Sequence, residues 1–549
     1  MTDGMIEVFL AKKIITMNPS WPMGTAIAVR DGEILGVGDA SDFDAWRQSD
    51  EPLVIRDDFA DNVLMPGLID PHLHPLMAAV LLPMQFITAM EWRFPWETVP
   101  ATTTPEAYLA ALRAGDEALG PGEFFFSWGY HSHWHGEMSR QLLDEVFGER
   151  PAVVWQRSFH EVYLNSAMMA ELGMVEAKLK GKHQVDYDRG HFYENGLGYA
   201  INKLNRVIMS EAWIDRGLER LKQIAHFGGH TTLGDMAVGI FDAELEWQAS
   251  RRMLDLDGTP FRVMSVPHAV RFGVGAESLD EVVRRVEAFA ARATDRFLFA
   301  RKVKLFTDGA FFSQLAMMKA PGYTDGHEGE WLIPPEQYLD YARAFWQAGY
   351  EIHVHCTGDL GLELAIDTLA TLQNEQPRFD HGYTIEHFGF STPEQVHRLK
   401  ALSASVSANT YYLHELSEAY GEFGIGRERA DQMVRLGSCE DAGILWSIHS
   451  DFPMAPAMPL HNAWVAASRQ NAAGRVVAEN EKASLDAALQ AVTINAARIL
   501  RLDDITGSLR AGKKADMVVL DQDPYEAGVD GLRDINIVAT IFEGQVFPT

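Results

Sequence analysis

Between about residue 260 and residue 450 the chain repeats one pattern, a short apolar run followed by an amphipathic segment. The runs are FRVMSVP, RKVKLF, YEIHVHC, YTIEHF and GILWSIHSD. Segments such as SLDEVVRRVEAFAARA between them carry apolar residues at helical spacing. Strands that alternate with helices pair in parallel, because each crossover returns the chain to the same end of the sheet. That predicts an α/β protein built on a parallel sheet. The two ends have another texture. IEVFLAKKIITMN and TAIAVRDGEILGVG near the start, and DITGSLRAGKKADMVVLDQDP and INIVATIFEGQVF near the finish, mix β-branched residues with turn formers. Both ends therefore read as pieces of a small β-sheet domain. The stretch between them, roughly 430 residues, exceeds the roughly 250 of a bare α/β barrel, so a segment must be inserted. The best candidate is about residues 90–210, rich in Trp, His, Gly and Met and without a regular β/α rhythm.

Charge excludes some partners. With 77 acidic and 47 basic residues the formal charge is −30, a field that repels nucleic acid and anionic membrane surfaces alike. The longest apolar stretch, Met77 to Met90, is broken by Pro83 and Gln85 and is too short to span a bilayer. Two cysteines, Cys356 and Cys439, provide no disulfide framework. The start, MTDGMIEVFL, shows no secretory pattern. A cytoplasmic protein is expected, and a homodimer, since that is the commonest symmetric assembly.

The chemistry starts at MPGLIDPHLHP, residues 65–75. His72 and His74 are two apart, so on a strand they face one side and can grip one metal ion. Such a pair is common and weak by itself. Its context is not: Lys304, His355, His387 and Asp451 stand at the ends of separate apolar runs. In a parallel barrel the C-terminal strand ends converge on one mouth. Histidine nitrogen and carboxylate oxygen suit Zn²⁺ and similar ions.

PGLIDPHLHP, KLFTDGA, HVHCTGD, IEHFGF and SDFPMAP, in that order, followed by TINAARILRLDDITGSLRAGKKADMVVLDQDPY, resemble the amidohydrolase superfamily over nearly the whole chain. The resemblance is strongest to amidohydrolase family 3, the group that includes N-substituted formamide deformylases. It implies a (β/α)₈ TIM barrel with an insertion, plus a small β-sandwich formed by the N- and C-terminal segments. Residues 1–65 and 497–549 would form the sandwich, and 66–496 the barrel with its inserted segment. It also implies two divalent ions, zinc by expectation. His72 and His74 would hold the more buried ion, and His355 and His387 the more exposed one. Lys304, carboxylated by CO₂, would bridge them. Asp451 would touch the buried ion and shuttle the proton. An ordinary lysine is a cation near pKa 10.4, so Lys304 makes sense as a ligand only as a carbamate. Lys302 and His353 lie two residues below Lys304 and His355 on the same strands, in the layer beneath the mouth.

The implied reaction is hydrolysis of the C–N amide bond of a hydrophobic N-substituted formamide or N-acyl amine through a metal-activated hydroxide. Opening of a cyclic amide, urea or lactone uses the same ligands and stays open. A non-catalytic binding or regulatory relative is a lesser alternative, for which lost ligands would be the sign. A deaminase is disfavoured: the region reads HVHCTGD, without the glutamate such enzymes carry, and Lys304 is present. Among other residues, His160 in RSFHEVYLNS occupies a family histidine position and could donate to the substrate carbonyl or oxyanion. Asp359 is a candidate for orienting a ligand or a loop, and Asp308 beside Lys304 for the same or for binding substrate. Trp92, Phe94 and Trp96 in MQFITAMEWRFPWE could wall an apolar substrate pocket or simply pack together. The tract of His131, His133 and His135 reads as polar surface before it reads as a metal site, and Cys356 as a small buried hydrophobe.

Overall fold

A computed structural model describes residues 4–48, 52–159, 161–193 and 196–549. They divide into two compact units, one of residues Met1–His74 with Ala225–Thr549 and the other of Pro75–Ile224. Among the described residues no helix is long and apolar enough to cross a membrane.

In the first unit the two ends of the chain meet in one seven-stranded sheet. Its order is Gln545–Pro548, Ile537–Phe542, Met517–Leu520, Leu53–Pro66, Ile6–Ile15, Met23–Arg30 and Glu33–Gly38. The pairing at its centre joins Met517–Leu520 antiparallel to Leu53–Pro66. β-Branched and aromatic alternation explains the strands: Phe9, Ile27, Leu64, Met517, Val519 and Ile541 pack one cluster, while Val8, Ala26, Ala28 and Phe43 pack another. Each large aliphatic side chain among them, fully buried, is worth about 1.5–3 kcal/mol.

The chain then runs from Leu53–Pro66 through Gly67 into Leu68–Leu73. A Cβ at Gly67 would stand 2.1 Å from Thr231 Oγ1, so only glycine lets the adjoining strands approach there. Leu68–Leu73 lies in a four-stranded sheet ordered Phe297–Phe299, Arg262–Pro267, His230–Val238, Leu68–Leu73. A five-stranded sheet follows, Lys302–Phe306, Glu351–Cys356, Thr384–His387, Ser405–Asn409 and Trp446–His449. The neighbours whose register is defined in both sheets are parallel. Helices supply the crossovers, for example Pro335–Gln347, Asp359–Glu375 and Pro393–Ala401. The last begins at a capping box, in which Thr392 accepts from the Gln395 N–H and Gln395 accepts in return from the Thr392 N–H. Backbone contacts join the sheets at both edges. His268 bridges Lys304 in parallel, and the Asp451 N–H donates to the His72 carbonyl at 3.1 Å. Arg262, buried on its strand, pairs with Asp516 and Glu543 and so ties the parallel strands to the two-ended sheet.

The second unit, where the sequence shows no β/α rhythm, has a six-stranded sheet of its own. Phe125–Tyr130 and Ala152–Gln156 are its fully buried parallel pair; the outer strands are as short as Gln85–Phe86 and Val185–Asp186. Tyr108, Leu112, Phe125, Leu143 and Val154 form its core.

Candidate metal centre

The site grows from Leu68–Leu73. Alternation sets Asp70, His72 and His74 on one side of the chain. The Asp70 carboxylate accepts from the His72 N–H at 3.2 Å and from the Ser450 N–H at 3.3 Å, which draws the end of Trp446–His449 against this strand. The His74 N–H donates to the Phe452 carbonyl at 2.9 Å, completing the junction. Asp451 is thereby brought among the histidines. Its Oδ1 lies 3.1 Å from His74 Nε2 and 3.5 Å from His72 Nε2, and its Oδ2 lies 3.8 Å from His387 Nδ1.

His387 arrives by a break in strand geometry. Regular alternation would turn Glu386 and His387 to opposite faces. At φ 72° His387 is left-handed, and both side chains reach His72. Glu386 Oε2 is 2.8 Å from His72 Nδ1, and the His387 and His72 ring centroids are 4.6 Å apart. Asp451 is left-handed as well, at φ 58°. Such conformations cost about 1–3 kcal/mol each and persist where the surroundings impose them, often at functional sites. The His355 centroid stands 4.5 Å from His387, and its ring stacks on Phe306. Lys304 is fully buried, its Nζ 5.7 Å over the Phe306 ring.

Burial, then the charge of Lys304, holds the His72 imidazole well below its ordinary pKa. Burial and the neighbouring His355, His72 and Lys304 do the same to His387. Both rings are therefore neutral, the form that ligates metal. Burial lowers Lys304 to about 8 against the pull of Glu386 and Asp451. For Glu386 burial acts upward, but Lys304, His353 and His449 bring it down to about 2, so it is a carboxylate.

The donor set fits a divalent ion. One atom each from His72, His74 and Asp451 lie within 4.8 Å of one another, as do atoms of His72, His387 and His449. Among the described residues, His72 Nε2, His74 Nδ1 and Lys304 Nζ are buried without a hydrogen-bond partner. Unpaired buried polar atoms cost about 1–3 kcal/mol each, and a metal among nitrogen and carboxylate donors removes that cost.

The other expected residues fall as follows. Asp308 is buried; its carboxylate accepts from the N–H groups of Met317 at 2.9 Å, Thr357 at 3.1 Å and Gly358 at 2.8 Å. It organises two loops. Asp359 accepts from the Lys319 N–H at 2.7 Å. His353 lies below the centre, its Nδ1 2.6 Å from Glu386 Oε1. In the second unit Trp92 and Phe94 are buried and stacked, and Phe94 stacks on the partly exposed Trp96. Of the histidine tract, His131 accepts from the His133 N–H, and His135 Nε2 is 2.8 Å from the Thr102 carbonyl. His160 lies outside the described residues. Glu386 and His449 were not among the residues expected from the sequence. Glu386 adjoins the candidate ligand His387 on the other face of a regular strand, and His449 shares the face of Asp451 two residues earlier, the one signal that pointed to it.

The profile of the Amidohydrolase family matches residues 58–548, which includes every member of this centre. The chain belongs to the amidohydrolase family. Other proteins align with it nearly end to end. An N-substituted formamide deformylase of Arthrobacter pascens is 23% identical over 547 residues, with 94% of each chain covered. The protein LONG AFTER FAR-RED 3 of Arabidopsis thaliana is 23% identical, with 97% of this chain and 90% of its own covered. An uncharacterized metal-dependent hydrolase from Pyrococcus horikoshii superposes with a TM-score of 0.71 at 21% identity, covering 94% of this chain and 98% of its own. At that identity the likeness speaks for the shared fold.

Proposed function

We propose that the protein is a metal-dependent hydrolase of non-peptide C–N bonds, acting on hydrophobic N-substituted formamides or N-acyl amines. The observation that carries this is the convergence of His72 and His74, His387 and Asp451 from three strand ends, with buried nitrogen atoms left unpaired. In this reading Phe297–Phe299 and Lys302–Phe306, which pair along Arg262–Pro267 and the adjoining His268, count as one interrupted strand, and the two parallel sheets close as a (β/α)₈ barrel through the His268–Lys304 and Asp451–His72 junctions. The two-ended sheet (1–65 with 497–549) belongs to a β-sandwich, and about residues 90–210 are inserted in the barrel of 66–496.

His72, His74 and Asp451 would hold one zinc ion and His355 and His387 a second, with Lys304 between them as a carbamate. Bound there, zinc supplies Lewis-acid polarisation of the amide carbonyl and a water acidic enough to attack at neutral pH. The chain does the rest. Lys304 Nζ, buried and unpaired, gives up its ammonium proton, attacks CO₂ with the lone pair so freed and loses a second proton as the carbamate forms, both protons passing to water. Asp451 accepts a proton at its carboxylate and returns it to the departing nitrogen. Asp308 holds in place the loops that follow Lys304 and His355. The deformylase relative supports formamides as the first substrates to try. The test is formate release from N-benzylformamide by zinc-loaded protein. Turnover supports the reading; none with formamides, N-acyl amines or any other amide, at full zinc occupancy, refutes it.

A further inference from the structure

Beneath the metal centre lies a file of buried polar groups that the hydrolytic step does not use. It begins at Lys302, whose side chain is fully buried. Its ammonium pairs with the Glu351 carboxylate, donates to the Ile499 carbonyl at 2.9 Å and lies 3.4 Å from His353 Nε2. An ammonium has three protons and no lone pair. Toward Lys302 the His353 ring can therefore only accept. A neutral imidazole that accepts at Nε2 carries its proton on Nδ1, and His353 Nδ1 is 2.6 Å from Glu386 Oε1. The other oxygen of that carboxylate is 2.8 Å from His72 Nδ1. A carboxylate only accepts, so the proton of His72 is on Nδ1 and its lone pair is on Nε2. That Nε2 is the buried, unpaired atom facing Asp451 at 3.5 Å.

We propose that Lys302, His353 and Glu386 form a directional hydrogen-bond file whose role is to fix the tautomer of His72, so that its Nε2 lone pair is presented to the metal. These are positioning residues that act through His72. The inference rests on the metal reading above, yet the direction of the file is a property of the metal-free protein and can be tested there. Glu386→Gln keeps the size and gives the middle of the file one accepting and one donating end. While Lys302 holds His353 as an Nδ1 donor, the oxygen of the new amide must face His353. The amide N–H then faces His72 Nδ1 and drives the His72 proton onto Nε2. Lys302→Met frees His353 to turn its tautomer, so the amide can donate to His353 and accept again from His72.

The experiment has two arms. In the first, ¹⁵N spectra of histidine-labelled, metal-free wild type are read for the His72 imidazole, assigned by its loss in His72→Gln. The expected result is protonated Nδ1 with unprotonated Nε2; the reverse overturns the proposal. In the second, zinc is titrated into metal-free variants against a chromophoric chelator. Glu386→Gln should weaken zinc about 10–100-fold, the usual effect of losing a partner behind a ligand histidine. Lys302→Met alone should do less, and added to Glu386→Gln it should restore most of the lost affinity. A merely structural role gives additive losses instead. Wild-type affinity in Glu386→Gln, or a double variant weaker than Glu386→Gln alone, overturns the proposal. If Lys302→Met does not fold, the spectrum and the Glu386→Gln titration decide. Wild type that binds no zinc defeats the metal reading, and the first arm still judges the file.

Discussion

Asp451→Asn separates holding the metal from moving the proton. Asparagine has nearly the size of aspartate and is among the residues that tolerate the left-handed φ of 58° found here. Its backbone N–H still donates to the His72 carbonyl, so the junction between the strands survives. His72, His74 and Lys304 remain as the other proposed ligands. What is lost is a carboxylate with Oδ1 at 3.1 Å from His74 Nε2, the group proposed to exchange the proton. General acid–base catalysis contributes about 10²–10⁴ in rate, or about 2.7–5.4 kcal/mol at 1.36 kcal/mol per decade. The expected kcat for N-benzylformamide falls by that factor while zinc content, measured on the same samples, stays at the wild-type value. A kcat within about tenfold of wild type at full metal, less than general acid–base catalysis supplies, would remove Asp451 from proton transfer. Loss of metal in proportion to activity would make it a ligand alone.

Other consequences are as direct. Lys304→Ala should lose bound metal and activity together, and intact two-metal content by elemental analysis would sink its bridging role. Arg262→Met strands Asp516 without its partner in a buried setting, which should cost about 3–5 kcal/mol in urea unfolding of the metal-free protein. Removing the charge of Asp516 as well, in Arg262→Met/Asp516→Asn, should return part of that loss. Burial raises the Glu246 carboxyl to about 7 despite bonds from the N–H groups of Gly239, Phe241 and Asp242. The folded chain thus keeps a proton that the unfolded chain, at its ordinary value of 4.5, has released. This contribution is complete below the unfolded value and is lost as pH rises from there through about 7. Glu246→Gln should flatten that part of the stability curve, and an unchanged slope would contradict the assignment.

The proposed ligands stand out in the sequence because their positions follow from elementary periodicities. His72 and His74 are one strand repeat apart, and Lys304 is distinguished from Lys302 by standing nearer the C-terminal end of the same strand. Texture likewise announced that both chain ends build β structure, which here is a single shared sheet. What could not be read depends on departures from periodicity. The left-handed turn at His387 brings its ring to His72, beside the Glu386 carboxylate, and no local residue signals it. Asp308 stands out beside Lys304 in the sequence, but its N–H donors come from residues 9 to 50 positions away, so its partners appear only once the loops are folded. In Pro75–Ile224 many strands are two to four residues long, too short to show a period, and only Phe125–Tyr130 and Ala152–Gln156 are apolar throughout enough to suggest burial.

These strand ends are proposed to hold two metal ions bridged by a carboxylated Lys304. Anomalous scattering at the zinc edge from crystals of zinc-loaded protein, grown with bicarbonate, tests it most directly. The expected map has one peak bounded by His72, His74 and Asp451 and a second against His355 and His387, with a planar carboxylate on Lys304 Nζ between them. Zinc bound elsewhere, or a bare Lys304 ammonium with no peak beside His72, would contradict it.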